Sequence, residues 1–114
     1  LARSIDGGLT WSPLSYDAVL VEPICQASLL RYDDARLLFS NPASRKRERM
    51  ALRLSEDDGR TWLRSLVLHE GPAAYSCLTV ALGGMIGCLY ECGDVHPYER
   101  IRFARVPPDA LKGG

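Results

Sequence analysis

Apolar residues along this chain fall in short bursts, and none of the bursts sustains a 3.6-residue period. Met50, Leu52 and Leu54 alternate with Ala51 and Arg53, which is the period-two pattern of a half-buried strand. Comparable bursts run over 27–32, 36–39, 50–55, 64–68, 76–82, 85–91 and 101–106. Turn signals separate them. Asp33-Asp34 joins the first two. Gly83-Gly84 joins 76–82 to 85–91, where glycine supplies the positive φ of a tight hairpin. Residues 12–26 are poorly patterned and read as a crossover between sheets. Strands at this density, mostly on hairpin spacing, predict an antiparallel all-β architecture.

One turn signal occurs twice. Ser4-Ile5-Asp6-Gly7-Gly8-Leu9-Thr10-Trp11 returns as Ser55-Glu56-Asp57-Asp58-Gly59-Arg60-Thr61-Trp62, and both fit S-x-D-x-G-x-T-W. The aspartate suits a tight turn because it can accept hydrogen bonds from the turn's own N–H groups. The tryptophan is placed to start the next strand and bury its ring against a neighbouring sheet. Ser4, Asp6, Gly8, Thr10 and Trp11, with Ser55, Asp57, Gly59, Thr61 and Trp62, are therefore read as structural residues. A repeat of roughly 50 residues carrying several short strands is the signature of a β-propeller. At that period the chain holds about two blades, fewer than a closed propeller needs. It is expected to be part of a larger domain, with 1–106 in the propeller and 107–114 as a tail. Cut from its neighbours, such a piece would show an inter-blade face, with Leu29, Leu38, Val80 and Ile86 as its expected members.

Charge narrows the function classes. The 14 basic and 14 acidic residues cancel, which argues against a general nucleic-acid binder. No run of apolar residues is long enough for a membrane-spanning helix. Cys25, Cys77, Cys88 and Cys92 lack a metal-site spacing, and His69 and His96 complete no ligand set. The cysteines are read as small apolar strand residues.

A second stretch carries chemistry. Leu38-Phe39-Ser40-Asn41-Pro42-Ala43 is followed by Arg47, the second octapeptide, and Tyr75-Ser76-Cys77-Leu78-Thr79. Leu89-Tyr90-Glu91 and Tyr98-Glu99-Arg100-Ile101-Arg102-Phe103-Ala104-Arg105 close the chain. In order and spacing these motifs resemble the C-terminal part of the catalytic domain of exo-α-sialidases of the bacterial and animal type, whose octapeptide turn is called the Asp-box. Cys77 departs from the aspartate usual in that family. The resemblance implies a six-bladed propeller and a retaining glycoside hydrolase acting on sialylated glycoconjugates. No cofactor and no metal enter this reading.

The implied chemistry sets its own demands. Sialic acid carries a carboxylate on its anomeric carbon, so a carboxylate nucleophile would approach against like charge. A neutral tyrosine hydroxyl avoids that repulsion once a base removes its proton. Sialidases are the known tyrosine exception to the two-carboxylate glycosidase scheme. The resemblance gives this role to Tyr75, where pattern alone reads a packed strand tyrosine. Arginine suits the substrate carboxylate because its planar fork donates two parallel hydrogen bonds. The resemblance picks Arg47 from Arg45-Lys46-Arg47-Glu48-Arg49, with Arg45 and Arg49 as register alternatives. It makes Glu91 a residue that orients another arginine, where pattern alone reads an exposed strand-end carboxylate. The acid/base aspartate, the two other arginines and the glutamate that activates the tyrosine would lie before Leu1. The chain alone is then expected to be inactive. Two alternatives remain at this point: a non-catalytic Asp-box propeller that binds carbohydrate or protein, and a sialidase-like transferase.

Overall fold

A computed structural model describes residues 1–113. Seven strands follow in chain order: β1 (Ser28–Arg31), β2 (Leu37–Pro42), β3 (Glu48–Ser55), β4 (Arg64–Val80), β5 (Ile86–Cys92), β6 (Arg100–Val106) and β7 (Lys112–Gly113). The first six are neighbours in sequence order, and every pairing is antiparallel. The Gly83-Gly84 hairpin forms as its glycines require, with φ of 74° and 76°.

Strand β4 corrects the expected element boundaries. Residues 64–68 and 76–82 were expected as separate strands, but one 17-residue strand spans Arg64–Val80. Its first half pairs with β3 and its second half with β5. The hand-over falls at Gly71-Pro72-Ala73. Pro72 has no N–H to give a ladder, so a change of partner costs little there. Its carbonyl accepts from Gly93 N–H at 3.0 Å, and Ala73 N–H donates to the Arg47 carbonyl at 3.0 Å. Both ladders shift register beside this point, and Arg49 in β3 adopts φ of 64°. Bulges of this kind let a strand bend from one sheet into another.

The two half-sheets close on one core. Leu38, Met50, Leu52 and Leu54 from β2 and β3 meet Leu78, Ile86, Cys88, Tyr90 and Val106 from β4, β5 and β6. Period-two alternation selects these residues, as Leu38↔Leu54 and Leu78↔Cys88 pair on the inner faces. Burying a leucine such as Leu52 contributes about 1.5–3 kcal/mol. Two residues expected on an open face, Leu38 and Ile86, are fully buried here instead. Both fall at inward-facing ladder positions. Leu29 and Val80 are exposed as expected.

The segment read as a tail docks on the sheet across its described part. Leu111 is buried, and β7 pairs with Arg64 and Ser65. Gly114 lies outside the described residues. No helix among the described residues is long and apolar enough to cross a membrane.

Candidate active site

The two octapeptides fold into the same turn. Asp57 accepts from Thr61 N–H at 2.8 Å, Thr61 Oγ1 at 2.6 Å and Ser55 Oγ at 2.8 Å. Asp6 accepts from Thr10 N–H, Thr10 Oγ1 and Ser4 Oγ in the same pattern. Ser4 and Ser55 each accept from the N–H of the glycine four residues on. Gly8 and Gly59 take φ of 93° and 78°. Every fixed polar position of the repeat thus has a hydrogen-bonding duty inside its own turn. These bonds, led by the threonine hydroxyl, lower both aspartates from 3.8 to about 2.

The tryptophans differ. Trp62 is buried against Phe39, with ring centres 5.8 Å apart. Trp11, expected to bury its ring, is 63% exposed. Among the described residues no strand flanks the first turn, and no sheet lies over that ring.

The candidate site residues gather at the other end of β3. That strand runs from Glu48 to Ser55, about 25 Å of extended chain between Arg47 and the second octapeptide. The loop before it separates the basic residues. Arg45 and Lys46 are exposed, and Arg49 pairs with Glu70 at 2.9 Å. Arg47 turns inward. Its Nη1 donates to the Tyr98 hydroxyl at 2.7 Å and its Nη2 to the Ile24 carbonyl at 3.1 Å. Its guanidinium carbon stands 5.7 Å from the centre of the Tyr75 ring, within cation–π reach. The hydrogen bond to Tyr98, and secondarily the nearby Cys25, hold Arg47 above its ordinary value, so it stays charged.

Tyr75 lies in the second half of β4 and is half-exposed. Glu91 of β5 accepts the Tyr75 N–H through Oε1 at 3.1 Å. Among the described residues no arginine forms an ion pair with Glu91. An open cleft of about 370 Å³ runs past Gln26, Tyr75, Cys77, Leu89, Glu91 and Ile101. Arg47, Tyr75 and Glu91 therefore come together from three different segments.

Three contributors were not legible in the sequence. Gln26 clamps β4 by accepting Ser76 N–H at 3.1 Å and donating to Ser76 O at 3.0 Å. Its side-chain amide imitates a neighbouring strand at an edge that has none. Ile24 holds φ of 57°, a conformation costly for a β-branched residue, and points its carbonyl at Arg47. Tyr98 comes from the β5–β6 loop. A glutamine in a loop carries no pattern signal, Tyr98 stands in the closing motif without a site role attached to it, and positive φ at isoleucine contradicts its local preference.

Residues 1–88 match a family model described as BNR repeat-like domain. Over 114 residues the chain is 39% identical to a sialidase of Micromonospora viridifaciens, covering 91% of this chain and 18% of that protein. This chain belongs to the sialidase family with BNR repeats. It is also 36% identical over 96 residues to sialidase-3 of Bos taurus, covering 81% of this chain and 22% of that protein. Among solved structures, Hadza microbial sialidase Hz136 superposes with a TM-score of 0.77 at 34% identity, over 97% of this chain and 23% of that one. The intramolecular trans-sialidase from Ruminococcus gnavus, in complex with oseltamivir carboxylate, superposes with a TM-score of 0.79 at 24% identity, over 99% and 28%. That likeness bears on the fold alone. The antiparallel sheet is thus part of a sialidase β-propeller, as the repeat implied. The chain spans about a fifth of the length of the curated relatives it matches.

Proposed function

We propose that this chain is a portion of a longer retaining exo-α-sialidase, which releases terminal sialic acid from glycoconjugates. Tyr75 is the nucleophile and Arg47 binds the substrate carboxylate. A base from another part of the enzyme takes the Tyr75 hydroxyl proton. The phenolate oxygen attacks the anomeric carbon as the glycosidic C–O bond breaks, and an acid protonates the leaving oxygen. Water then displaces the tyrosine from the opposite side. Two inversions leave net retention.

The observation that carries this reading is the packing of the Arg47 guanidinium over the Tyr75 ring, 5.7 Å from its centre. A fixed cation beside a half-exposed tyrosine suits a sugar whose anomeric carbon bears a carboxylate. Glu91, bonded to the Tyr75 N–H, steadies the strand at the nucleophile. On this reading the activating base and the acid come from other parts of the enzyme, and the 114-residue chain alone is expected to be inactive.

In the complete enzyme, Tyr75→Phe deletes one oxygen and keeps the ring. Hydrolysis of a sialoside is expected to fall by orders of magnitude with the fold intact. Near wild-type turnover would refute the nucleophile role. A folded complete protein that binds sialosides with no hydrolysis or transfer before any substitution would favour a binding propeller instead.

A further inference from the structure

We propose that Tyr98 is a positioning residue for substrate binding: its hydroxyl holds the Arg47 guanidinium at the angle that receives the substrate carboxylate. The inference rests on the carboxylate-binding reading of Arg47. Three observations support it.

First, Tyr98 Oη takes the Nη1 edge of Arg47 at 2.7 Å, and the Ile24 carbonyl takes Nη2 at 3.1 Å. Each terminal nitrogen carries two hydrogens, so one on each remains for a ligand. A long side chain held at both terminal nitrogens has already lost most of its rotamer freedom before substrate arrives. Among the described residues no carboxylate hydrogen-bonds to Arg47. Both acceptors are neutral, so its full charge stays available to an anion.

Second, the loop that carries Tyr98 is built rigidly. The Glu99 carboxylate accepts the N–H groups of Asp94, Val95 and His96. Tyr98 N–H donates to His96 Nδ1 at 3.1 Å, and Arg100 pairs with Asp94 at 2.8 Å. Gly93 sits so close to the loop that an added Cβ would stand 1.9 Å from the His96 carbonyl. The loop base is tied to β4 through the contact of His69 Nε2 with the Gly93 carbonyl at 2.9 Å. Such a loop fixes the Tyr98 backbone, and the bond to Arg47 then sets the place of its hydroxyl.

Third, the second acceptor is held at a cost. Ile24 adopts φ of 57° although nothing covers its side chain. Strain at an exposed β-branched residue persists where its surroundings hold it; here the Ile24 N–H donates to Glu22 Oε2 while the carbonyl accepts from Arg47.

The test uses the complete enzyme and three variants: Arg47→Ala, Tyr98→Phe and the double substitution, with kcat and KM for a sialoside and a melting curve for each. Tyr98→Phe keeps the ring and removes only the hydroxyl. Its loss is expected to raise KM about tenfold, the scale of one hydrogen bond to a charged group, while kcat changes less. In the Arg47→Ala background the same change should do nothing further. If Arg47→Ala raises KM but Tyr98→Phe does not, the positioning role is overturned and the arginine reading stands. If the Tyr98→Phe effect persists without Arg47, Tyr98 acts elsewhere and the inference also fails. If Arg47→Ala leaves KM unchanged in a folded enzyme, both readings fall.

Discussion

The hydroxyls of Ser40 and Ser76 meet at 2.7 Å inside the core, and that contact sets the face on which Tyr75 stands. Side chains alternate across a strand, so an inward Ser76 makes Tyr75 face outward. A one-residue slip of β4 would bury Tyr75 and expose Ser76. Ser76 is held further by its bond to the Ser40 carbonyl at 3.2 Å and by the Gln26 clamp on its backbone. Ser76→Ala is expected to lower stability by about 1–3 kcal/mol, the scale of a buried hydrogen bond removed from one side. Ser40→Ala together with Ser76→Ala should cost less than the sum of the two. Strictly additive losses in urea unfolding would show that the hydroxyls are not coupled.

Asp57 links stability to pH. Its carboxylate is lowered from 3.8 to about 2 in the folded protein, chiefly by the Thr61 hydroxyl and then by the Thr61 N–H. A depressed carboxylate contributes stability above its unfolded value and loses that contribution as pH falls through its folded value. Stability should therefore decline between pH 3.8 and about 2, with Asp6 adding a parallel decline. Asp57→Asn should be less stable at neutral pH and show a shallower decline across that window. An unchanged acid limb in melting curves would contradict the turn's role.

Much of the fold was legible because its signals are local. The hairpin at Gly83-Gly84 and the alternation of Met50, Leu52 and Leu54 depend on neighbours in sequence. The octapeptide was legible because its bonds close within the repeat itself. The continuity of β4 was hidden, since Gly71-Pro72 looks like a break and only the partner exchange between β3 and β5 makes it a bend. The pairing of Arg47 with Tyr98 was hidden for the same reason: it joins two loops that only the folded sheets bring together.

Thiol chemistry should separate the cysteines. Cys77 is exposed on the cleft side of β4, while Cys88 and Cys92 are buried. Burial pushes the Cys88 thiol up to about 11, so little of the reactive thiolate forms near neutral pH. Alkylation of the native 114-residue chain, followed by peptide mass mapping, should mark Cys77 first and Cys88 only on unfolding. Equal labelling of Cys77 and Cys88 would contradict the packing of β5.

The outer face of β5 and β6 predicts how this chain behaves alone. Leu89 pairs with Phe103, next to Ile101, and the three are 46%, 50% and 70% exposed. A contiguous apolar sheet face favours association. Sedimentation of residues 1–114 should show concentration-dependent oligomers, reduced by Ile101→Lys and Phe103→Lys. A monomer at every concentration would contradict this.

If Tyr75 attacks the sugar, a covalent sialosyl intermediate can be trapped on it. A sialosyl fluoride with a second fluorine beside the anomeric carbon loads the enzyme and slows its hydrolysis, because the fluorine disfavours oxocarbenium-like charge. After tryptic digestion of the complete enzyme, Tyr75 lies in the peptide 65–100. This peptide is expected to gain the mass of one fluorosialosyl group, and fragmentation to place it on Tyr75. A label on a carboxylate, on Tyr90 or Tyr98, or on another part of the enzyme would contradict the nucleophile role.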